Sequence, residues 1–230
     1  MHRWDLTPRE ASEIQRNLAA RVVVNRPLGP IELLAATDVS CDRRLPLTLH
    51  AGVVIVDVHS LRVCERVGAS APATFPYIPG YLSFREVPVL LQALAQVQSR
   101  YDAILCDGQG VAHPRGLGLA SHLGLWLEMP TIGCAKRLLW GNCEPPADVR
   151  GACAKIEAGN KRLGSAVRTR AGCHPVYVSP GHLSDVESSC DLVMRLVRKT
   201  RLPEPLRDAH AWANEWRTRS HWTDVKSSRR

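Results

Sequence analysis

Three consecutive runs rich in valine, isoleucine and leucine constrain the fold of this chain most. They cover residues 31–39, 47–58 and 61–69 and are separated by short polar turns, a pattern typical of an antiparallel meander. After them, helical spacing and strand-like runs alternate along the chain. Because parallel strands need a crossover connection, usually a helix, this order predicts a mixed sheet with helices on its faces.

Helical periodicity adds the remaining elements. Thr7 followed by Pro8 is typical of a helix start, and apolar residues at spacing four extend the first predicted helix over residues 7–24. Residues 220–230 are polar and lack periodicity, so we expect a disordered tail. Between the meander and this tail we predict a helix over 84–97, a strand ending at Cys106, a helix over 117–127, strands near 131–135, 164–170 and 175–179, a helix capped by Ser184, and a last helix after Pro203 or Pro205.

The composition fits a single domain that binds polyanions. Of the 230 residues 45% are hydrophobic, enough for the core of a single domain, which we assign to residues 1–219. Thirty lysines and arginines against 22 aspartates and glutamates give a net charge of +8. This balance is expected of a nucleic-acid-binding protein and is equally compatible with a merely basic one.

The cysteine pattern and the absence of targeting signals indicate a location. Eight cysteines form no C-x-x-C pair and several interrupt apolar runs, which favours reduced thiols over a disulfide or zinc framework. The amino terminus carries no apolar signal region, and no stretch reaches membrane-spanning length. We therefore expect a cytoplasmic monomer without membrane contact, or a nuclear one in a eukaryote.

Two aspartates close predicted buried strands. Asp107 follows the run 101–106 and precedes a glycine-punctuated turn, and Asp38 follows the apolar run 31–36. Glycine lets other atoms approach the backbone closely, and carboxylate oxygens are ligands of Mg²⁺. If the two strands are neighbours, both carboxylates share one metal site. Taken alone, each aspartate could instead bond the backbone of a turn or cap a helix.

Glu86 is a third carboxylate with two interpretations. The segment Ser83-Phe-Arg-Glu86 has the form of a capping box at a helix start, which would make the glutamate structural. Pro88 argues against that interpretation, because in a helix beginning at Phe84 its ring would clash with the Phe84 carbonyl. The alternative is that Glu86 joins the two aspartates.

His210 and Lys136 also have a functional and a structural interpretation. His210 lies on a predicted helix face that is otherwise apolar, where a histidine is usually a core residue. At an active site its imidazole could instead move a proton or position a water. Lys136 follows a predicted strand, where a lysine is usually a solvated charge, although there it could neutralise charge on a phosphate.

The loop 75–80 is apolar and stiffened by prolines. Leaving such a loop in water is costly, so it either packs on the core or serves a binding purpose. In the second case Tyr77 and Ile78 would enter a base stack as a wedge, while Pro76 and Pro79 reduce the entropy lost on holding them there. Gly80 ends the segment.

Seven segments, in order, resemble the endonuclease V family, nucleases that cut beside deaminated adenine (inosine). Seven blocks in the right order are a specific signal, whereas an Asp-Gly pair alone is only a turn. The resemblance runs from about the amino terminus to Trp216. The segments are AATDVS (35–40), FPYIPG (75–80), SFRE (83–86), DGQGVAHPR (107–115), ASH (120–122), PTIGCAK (130–136) and SPGHLSDVES (179–188).

The resemblance implies an α/β fold and a set of site residues. The fold would be a ribonuclease H-like mixed five-stranded central sheet flanked by helices, with additional C-terminal strands and helices. Asp38 and Asp107 would lie side by side and, with Glu86, hold Mg²⁺, for which Mn²⁺ is expected to substitute. Lys136 would face the scissile phosphate, and His210 would match the family's late catalytic histidine. The implied inosine pocket comprises Gly80, Leu82, His113, Gly118 and Ala135.

The implied function is magnesium-dependent hydrolysis of the second phosphodiester bond 3′ to inosine, in DNA repair. Members of the family act on inosine in DNA or RNA, so an inosine-specific endoribonuclease acting on single-stranded RNA is an alternative. A further alternative is a nucleic-acid-binding module of the same fold without catalysis. Another nuclease of this fold is a third, although such nucleases lack the Pro-Tyr-Ile-Pro-Gly segment.

Overall fold

A single eight-stranded sheet with helices on both faces forms the fold. The computed structural model describes residues 2–42 and 45–227, with side chains through Arg219. Its elements in chain order are α1 (Pro8–Ala19), β1 (Leu33–Cys41), β2 (Thr48–Asp57), β3 (Val63–Pro72), α2 (Leu82–Leu94), β4 (Ala103–Cys106), α3 (Leu119–Leu127), β5 (Thr131–Ala135), β6 (Cys153–Ala158), β7 (Lys161–Val167), β8 (Val176–His182), α4 (Val186–Arg195) and α5 (Glu204–Ser227).

The strand order confirms the predicted meander and the ribonuclease H-like layout. The order across the sheet is β3-β2-β1-β4-β5-β8-β7-β6. The pairs β1/β4 and β4/β5 are parallel, and the other pairs are antiparallel. The predicted five-stranded core is therefore present, and three further strands extend the same sheet beyond β5. Of these three, β6 has no counterpart among the strands predicted from the sequence.

The two faces of the sheet carry separate apolar cores. Leu34 and Ala36 of β1 pack with the cluster that contains the buried residues of α4 and α5. Ala35, between them, packs with the cluster of α2 and α3. This alternation follows from the two-residue period of a strand, and it places helical layers on both sides of the strand that leads to Asp38.

The helix boundaries correct several predictions. Thr7 caps α1 in a capping box with Glu10, as its sequence suggests, but the helix ends at Ala19 rather than near residue 24. Three consecutive valines follow there, and β-branched residues disfavour helix. The cap of α4 is Asp185, whose side chain accepts the Ser188 N–H, and not Ser184; the Ser184 hydroxyl donates to the Thr131 carbonyl at 2.8 Å instead.

The last helix extends into the predicted tail. The sequence predicts disorder over residues 220–230, whereas α5 continues through Ser227. No glycine or proline occurs between Leu206 and Ser227 to end it. Residues 228–230 lie outside the described residues. Among those described, no helix is both long and apolar enough to cross a membrane.

Gly52 allows α5 to lie directly on β2. It pairs with Asp38 across the β1–β2 ladder. A Cβ atom at Gly52 would lie 2.5 Å from the Ala213 nitrogen and 2.8 Å from the Ala209 oxygen, which are backbone atoms that cannot rotate away. The contact between this strand and the helix that carries His210 therefore requires glycine.

All eight cysteines have free thiols. Cys106, Cys134 and Cys190 are buried, which agrees with the expected core thiols. Cys64 and Cys153 are exposed, so the thiols are not confined to the core. Both exposed cysteines lie on strands whose outer face meets solvent.

Candidate active site

Asp38 and Asp107 lie next to each other where the parallel pairing of β1 with β4 ends, Asp38 within β1 and Asp107 directly after β4. Their preceding residues, Thr37 and Cys106, are register partners, and the Asp107 N–H donates to the Thr37 carbonyl at 3.3 Å. The side chain of each aspartate retains 14% of its exposed surface. The structure thus confirms the predicted juxtaposition of the two carboxylates.

Each aspartate is paired with one of the predicted site residues. The Lys136 ammonium, directly after β5, donates to Asp107 Oδ2. His210 of α5 places its Nδ1 at 2.6 Å from Asp38 Oδ2. Although burial opposes it, the hydrogen bond and charge of Asp107 raise the pKa of Lys136, so the lysine keeps its positive charge at this site. Two candidate catalytic groups therefore contact the two carboxylates directly.

Glu86 reaches the same electrostatic environment from the α2 layer. Burial of its carboxyl group, together with repulsion from Asp38 and Asp107, raises its pKa to about 8. The capping-box interpretation is wrong, because α2 begins at Leu82 and carries Pro88 inside it. The Ser83 hydroxyl instead bonds His122 Nδ1 at 3.0 Å. The glutamate is thus free of a capping role and lies close enough to both aspartates for their charges to raise its pKa.

His210 is not a core residue. Its side chain is 60% exposed, whereas Ala209 and Ala213 on the same helix are buried. Because a carboxylate can only accept, Nδ1 carries the proton that bonds Asp38. Asn214, one helical turn later, places its amide nitrogen 3.1 Å from His210 Nε2, and its oxygen accepts the Ser40 hydroxyl at 2.9 Å. The sequence interpretation missed Asn214, although its i,i+4 spacing from His210 could have indicated it.

The donor set at this point fits Mg²⁺. Asp38, Asp107 and Glu86 offer the hard carboxylate oxygens that this ion prefers. Burial and the charge of Asp107 raise the pKa of Asp38 even against the hydrogen bond from His210, so added positive charge would stabilise the cluster. Within the described residues, no group of three His, Cys, Asp or Glu side chains already forms a ligand set.

A cavity of about 190 Å³ opens beside the carboxylates. Four of the five predicted pocket residues line it, namely Gly80, Leu82, His113 and Gly118. Ala135 does not line it and is buried at the end of β5. The wall includes residues that the sequence interpretation did not select: Ser83, Gly108, Gln109, Leu117, Leu119 and Leu139.

The carbonyl of Gly80 is fixed by three donors at the rim of this cavity. Gln15 Nε2, His113 Nε2 and Arg115 Nη2 lie 3.0, 2.9 and 2.8 Å from it. Since a carbonyl only accepts, His113 carries its proton on Nε2, while its Nδ1 accepts the Arg115 N–H at 3.2 Å. Burial lowers the pKa of His113 to about 4, so the imidazole is neutral. Gly80 itself has φ +82°, a conformation that favours glycine.

The loop 75–80 is anchored at both ends and exposed between them. Phe75 is buried, and its carbonyl accepts Arg85 Nη1 at 2.8 Å, while Gly80 is held as described above. Tyr77 is 72% exposed, whereas Ile78 is partly buried against the Phe75 cluster. The loop therefore presents chiefly Tyr77 to solvent on a fixed base.

Comparison with known sequences gives a consistent result. The profile of the family described as Endonuclease V matches residues 16–211. Over 217 residues the chain is 46% identical to Endonuclease V of Gloeobacter violaceus, and this match covers 93% of this chain and 88% of that protein. The matched region contains every residue that the sequence predicts for the site.

Solved structures show the same fold. Endonuclease V from Streptomyces avermitilis matches with a TM-score of 0.90 at 37% identity, covering 95% of this chain and 96% of that one. Endonuclease V of Ciona intestinalis, in complex with a 24mer DNA containing an inosine followed by a ribo-adenosine, matches with a TM-score of 0.78 at 23% identity, covering 90% and 96%. At that identity the second likeness concerns the fold alone.

Proposed function

The chain belongs to the endonuclease V family and is an endonuclease, and we propose that it requires Mg²⁺ and acts on inosine in nucleic acid. The proposed reaction is hydrolysis of the second phosphodiester bond on the 3′ side of the inosine. One observation carries this proposal. Asp38 and Asp107 stand side by side just beyond the last parallel pair of β1 and β4, each in contact with a group that can handle charge or a proton.

The residues divide the chemistry among themselves. Asp38, Asp107 and Glu86 would hold the ion, which when bound supplies positive charge against the phosphate oxygens; Mn²⁺ would substitute. Lys136, already oriented by Asp107, would neutralise charge that develops on the phosphate. His210 donates Nδ1–H to Asp38, so its Nε2 is the basic nitrogen. A water that displaces the Asn214 amide from Nε2 would lose its proton there.

The cavity and the loop supply recognition of the base. The cavity borders Asp107 through Gly108 and Gln109, so a base placed there brings the adjoining stretch of its strand to the carboxylates. Tyr77, which is 72% exposed, would fill the gap that the flipped base leaves in the stack. Stacking of a base on an aromatic ring contributes about 1–3 kcal/mol, comparable to the few kcal/mol needed to unstack one mispaired base.

A binding module without catalysis explains the site less well. Carboxylates placed where a phosphate must approach would repel it unless a cation intervened. The nature of the strand is a separate question. The Ciona protein was crystallised with a DNA that contains both inosine and a ribonucleotide, so an inosine-specific endoribonuclease acting on single-stranded RNA is the alternative within the same proposal.

Cleavage of matched oligonucleotides tests the proposal. We expect Mg²⁺-dependent nicking of single-inosine DNA or RNA at the second bond 3′ to the inosine, and no nicking when adenine replaces it. DNA, RNA and a DNA strand with one ribonucleotide after the inosine would rank the substrates. Equal cleavage of the inosine and adenine strands would contradict the proposed specificity.

Replacing Tyr77 by alanine should reduce cleavage of inosine in a duplex more than in a single strand. A wedge helps only where a stack must be opened, and the exposed Tyr77 ring contributes little to the protein core. The relative rates on the two substrates are the measurement. An equal loss on both would mean that Tyr77 stacks on the substrate without opening it.

The cellular setting follows from the same features. We propose a role in DNA repair in the cytoplasm, with which eight free thiols agree. A single nuclease domain and a monomer suffice, because one chain supplies every residue of the site. Gel filtration with light scattering would measure the mass directly.

A further inference from the structure

A second, larger groove adjoins the base cavity. Its volume is about 780 Å³, and His113 belongs to the walls of both. We call it the basic groove and define it by Arg16, Val24, His113, Trp140, Lys161 and Arg162. It runs between the end of α1 and the β6–β7 hairpin, and apart from His113 its defining residues take no part in the proposed catalysis or base recognition.

Trp140 forms an exposed and rigid wall of this groove. It is 46% exposed and follows Leu139, which is 44% exposed and lines the base cavity. After it, Gly141 has φ +95°, and a Cβ there would lie 3.0 Å from the Glu157 carbonyl. Asn142 then forms a backbone bridge to Glu157 with bonds of 2.7 and 2.9 Å. An indole ring left in water on a fixed backbone indicates a binding surface.

The charge of the basic groove complements a polyanion. No aspartate or glutamate lines it among the described residues. Arg162 pairs with Glu187, but Arg16 and Lys161 form no ion pair within the part of the chain that the structure describes, and both are exposed. Cations beside an exposed aromatic ring are the two features that bind single-stranded nucleic acid, since phosphates meet the charges and bases stack on the ring.

The order of the sites sets the direction of the strand. Asp107 is followed by Gly108 and Gln109, which line the base cavity, and His113 connects the cavity to the basic groove. The cavity therefore lies between the carboxylates and the groove. Because the proposed cleavage is 3′ to the inosine, the strand that leaves the cavity on the other side is the 5′ flank.

We propose that the basic groove binds the unpaired nucleotides 5′ to the inosine, with one base stacked on Trp140 and phosphates near Arg16 and Lys161. This inference rests on the proposed function and extends it by naming the path of the strand. It assigns Trp140 a positioning role in substrate binding, separate from the base cavity and from the carboxylates.

Truncation of the substrate and of the side chain together tests this inference. Three single-stranded DNAs with one inosine would be compared: long on both sides, trimmed to a single nucleotide on the 5′ side, and trimmed on the 3′ side beyond the cleaved bond. Affinity would be measured by fluorescence anisotropy in calcium. For the long strand, Trp140→Ala should weaken binding roughly 5- to 150-fold, the range for one lost base stack, and Trp140→Phe should restore most of it.

The 5′-trimmed strand provides the decisive comparison. Wild-type protein should bind it more weakly than the long strand, and Trp140→Ala should reduce this difference to the part that Arg16 and Lys161 contribute. The inference would be overturned if Trp140→Ala lost the same affinity for the long and the 5′-trimmed strand. It would also be overturned if wild-type protein bound these two strands equally well. A Trp140 effect that disappears on trimming the 3′ side would overturn it as well.

Charge reversal on one helix supplies a matched control. Arg16→Glu should weaken binding of the long strand and reduce the slope of log affinity against log salt by about 0.7 for each phosphate that the variant no longer neutralises. Arg9→Glu, on the same helix outside the groove, should change neither. If both variants lowered the affinity and the salt dependence equally, the effect would come from net charge and not from a binding site in the basic groove. Failure of the proposed function would appear separately, as equal affinity of wild type for the long inosine strand and its adenine counterpart.

Discussion

Asp38→Asn and Asp107→Asn are each expected to abolish cleavage while leaving the protein folded and much of its affinity for inosine-containing strands intact. Each change removes the charge of a proposed metal ligand without changing side-chain volume. Burial and, after it, repulsion from Asp107 raise the pKa of Asp38, so loss of one charge should not threaten the fold. Cleavage, strand binding and thermal midpoint should be measured on the same preparations.

Asp102 offers a matched control for these variants. It is an aspartate at the start of the β4 run, and its carboxylate accepts the backbone N–H groups of Glu32 and Leu33 at 2.8 and 3.0 Å, so Asp102→Asn should affect stability rather than chemistry. Calcium should support binding by the wild type with little turnover, because its looser coordination positions the reacting groups poorly. Substantial Mg²⁺-dependent nicking by Asp38→Asn or Asp107→Asn would exclude the metal assignment.

His210→Ala is expected to lower the rate of cleavage far more than the affinity for substrate. If the imidazole transfers a proton, the loss should be roughly 10²–10⁴-fold. The contact between Nδ1 and Asp38 at 2.6 Å motivates this prediction, since it holds the ring at the carboxylates. Single-turnover rates at saturating enzyme separate the rate from binding.

Thermal unfolding of the same variant distinguishes catalysis from packing. Because the His210 side chain is largely exposed and alanine favours helix, the thermal midpoint should stay near that of the wild type. His59→Ala, at an exposed turn remote from the site, serves as the control and should leave the rate unchanged. An intact rate in a destabilised His210→Ala protein would defeat the catalytic assignment.

The elements that could be predicted from the sequence are those with strong local signals. The meander has long apolar runs, and α1 has a capping box with Thr7. Strand β6 escapes prediction although exposed and inward positions alternate along it, because two of its three inward residues, Ala154 and Ala158, are small and have low strand propensity. The extent of α5 escapes prediction because a polar, aperiodic segment can continue a helix that tertiary contacts have already started.

The candidate site was predictable where a residue's position along a strand determines its surroundings. Asp38 and Asp107 each come directly after an apolar run, and the fold makes the two runs parallel neighbours, so the contact between the two residues could be inferred. The anchoring of Gly80 by Gln15 could not, because 65 residues separate them and no local pattern indicates the contact. Leu139 likewise enters the cavity wall through the course of a loop, which propensities do not determine.

The glycine opposite Asp38 has a consequence for how this site tolerates change. Gly52 has no functional group, yet a methyl group there would push α5 away from β2, because it would clash with the backbone at Ala209 and Ala213. His210 lies between those two positions on the helix. The distance between the His210 imidazole and Asp38 therefore depends on the absence of a side chain at Gly52, a residue that takes no part in the chemistry itself.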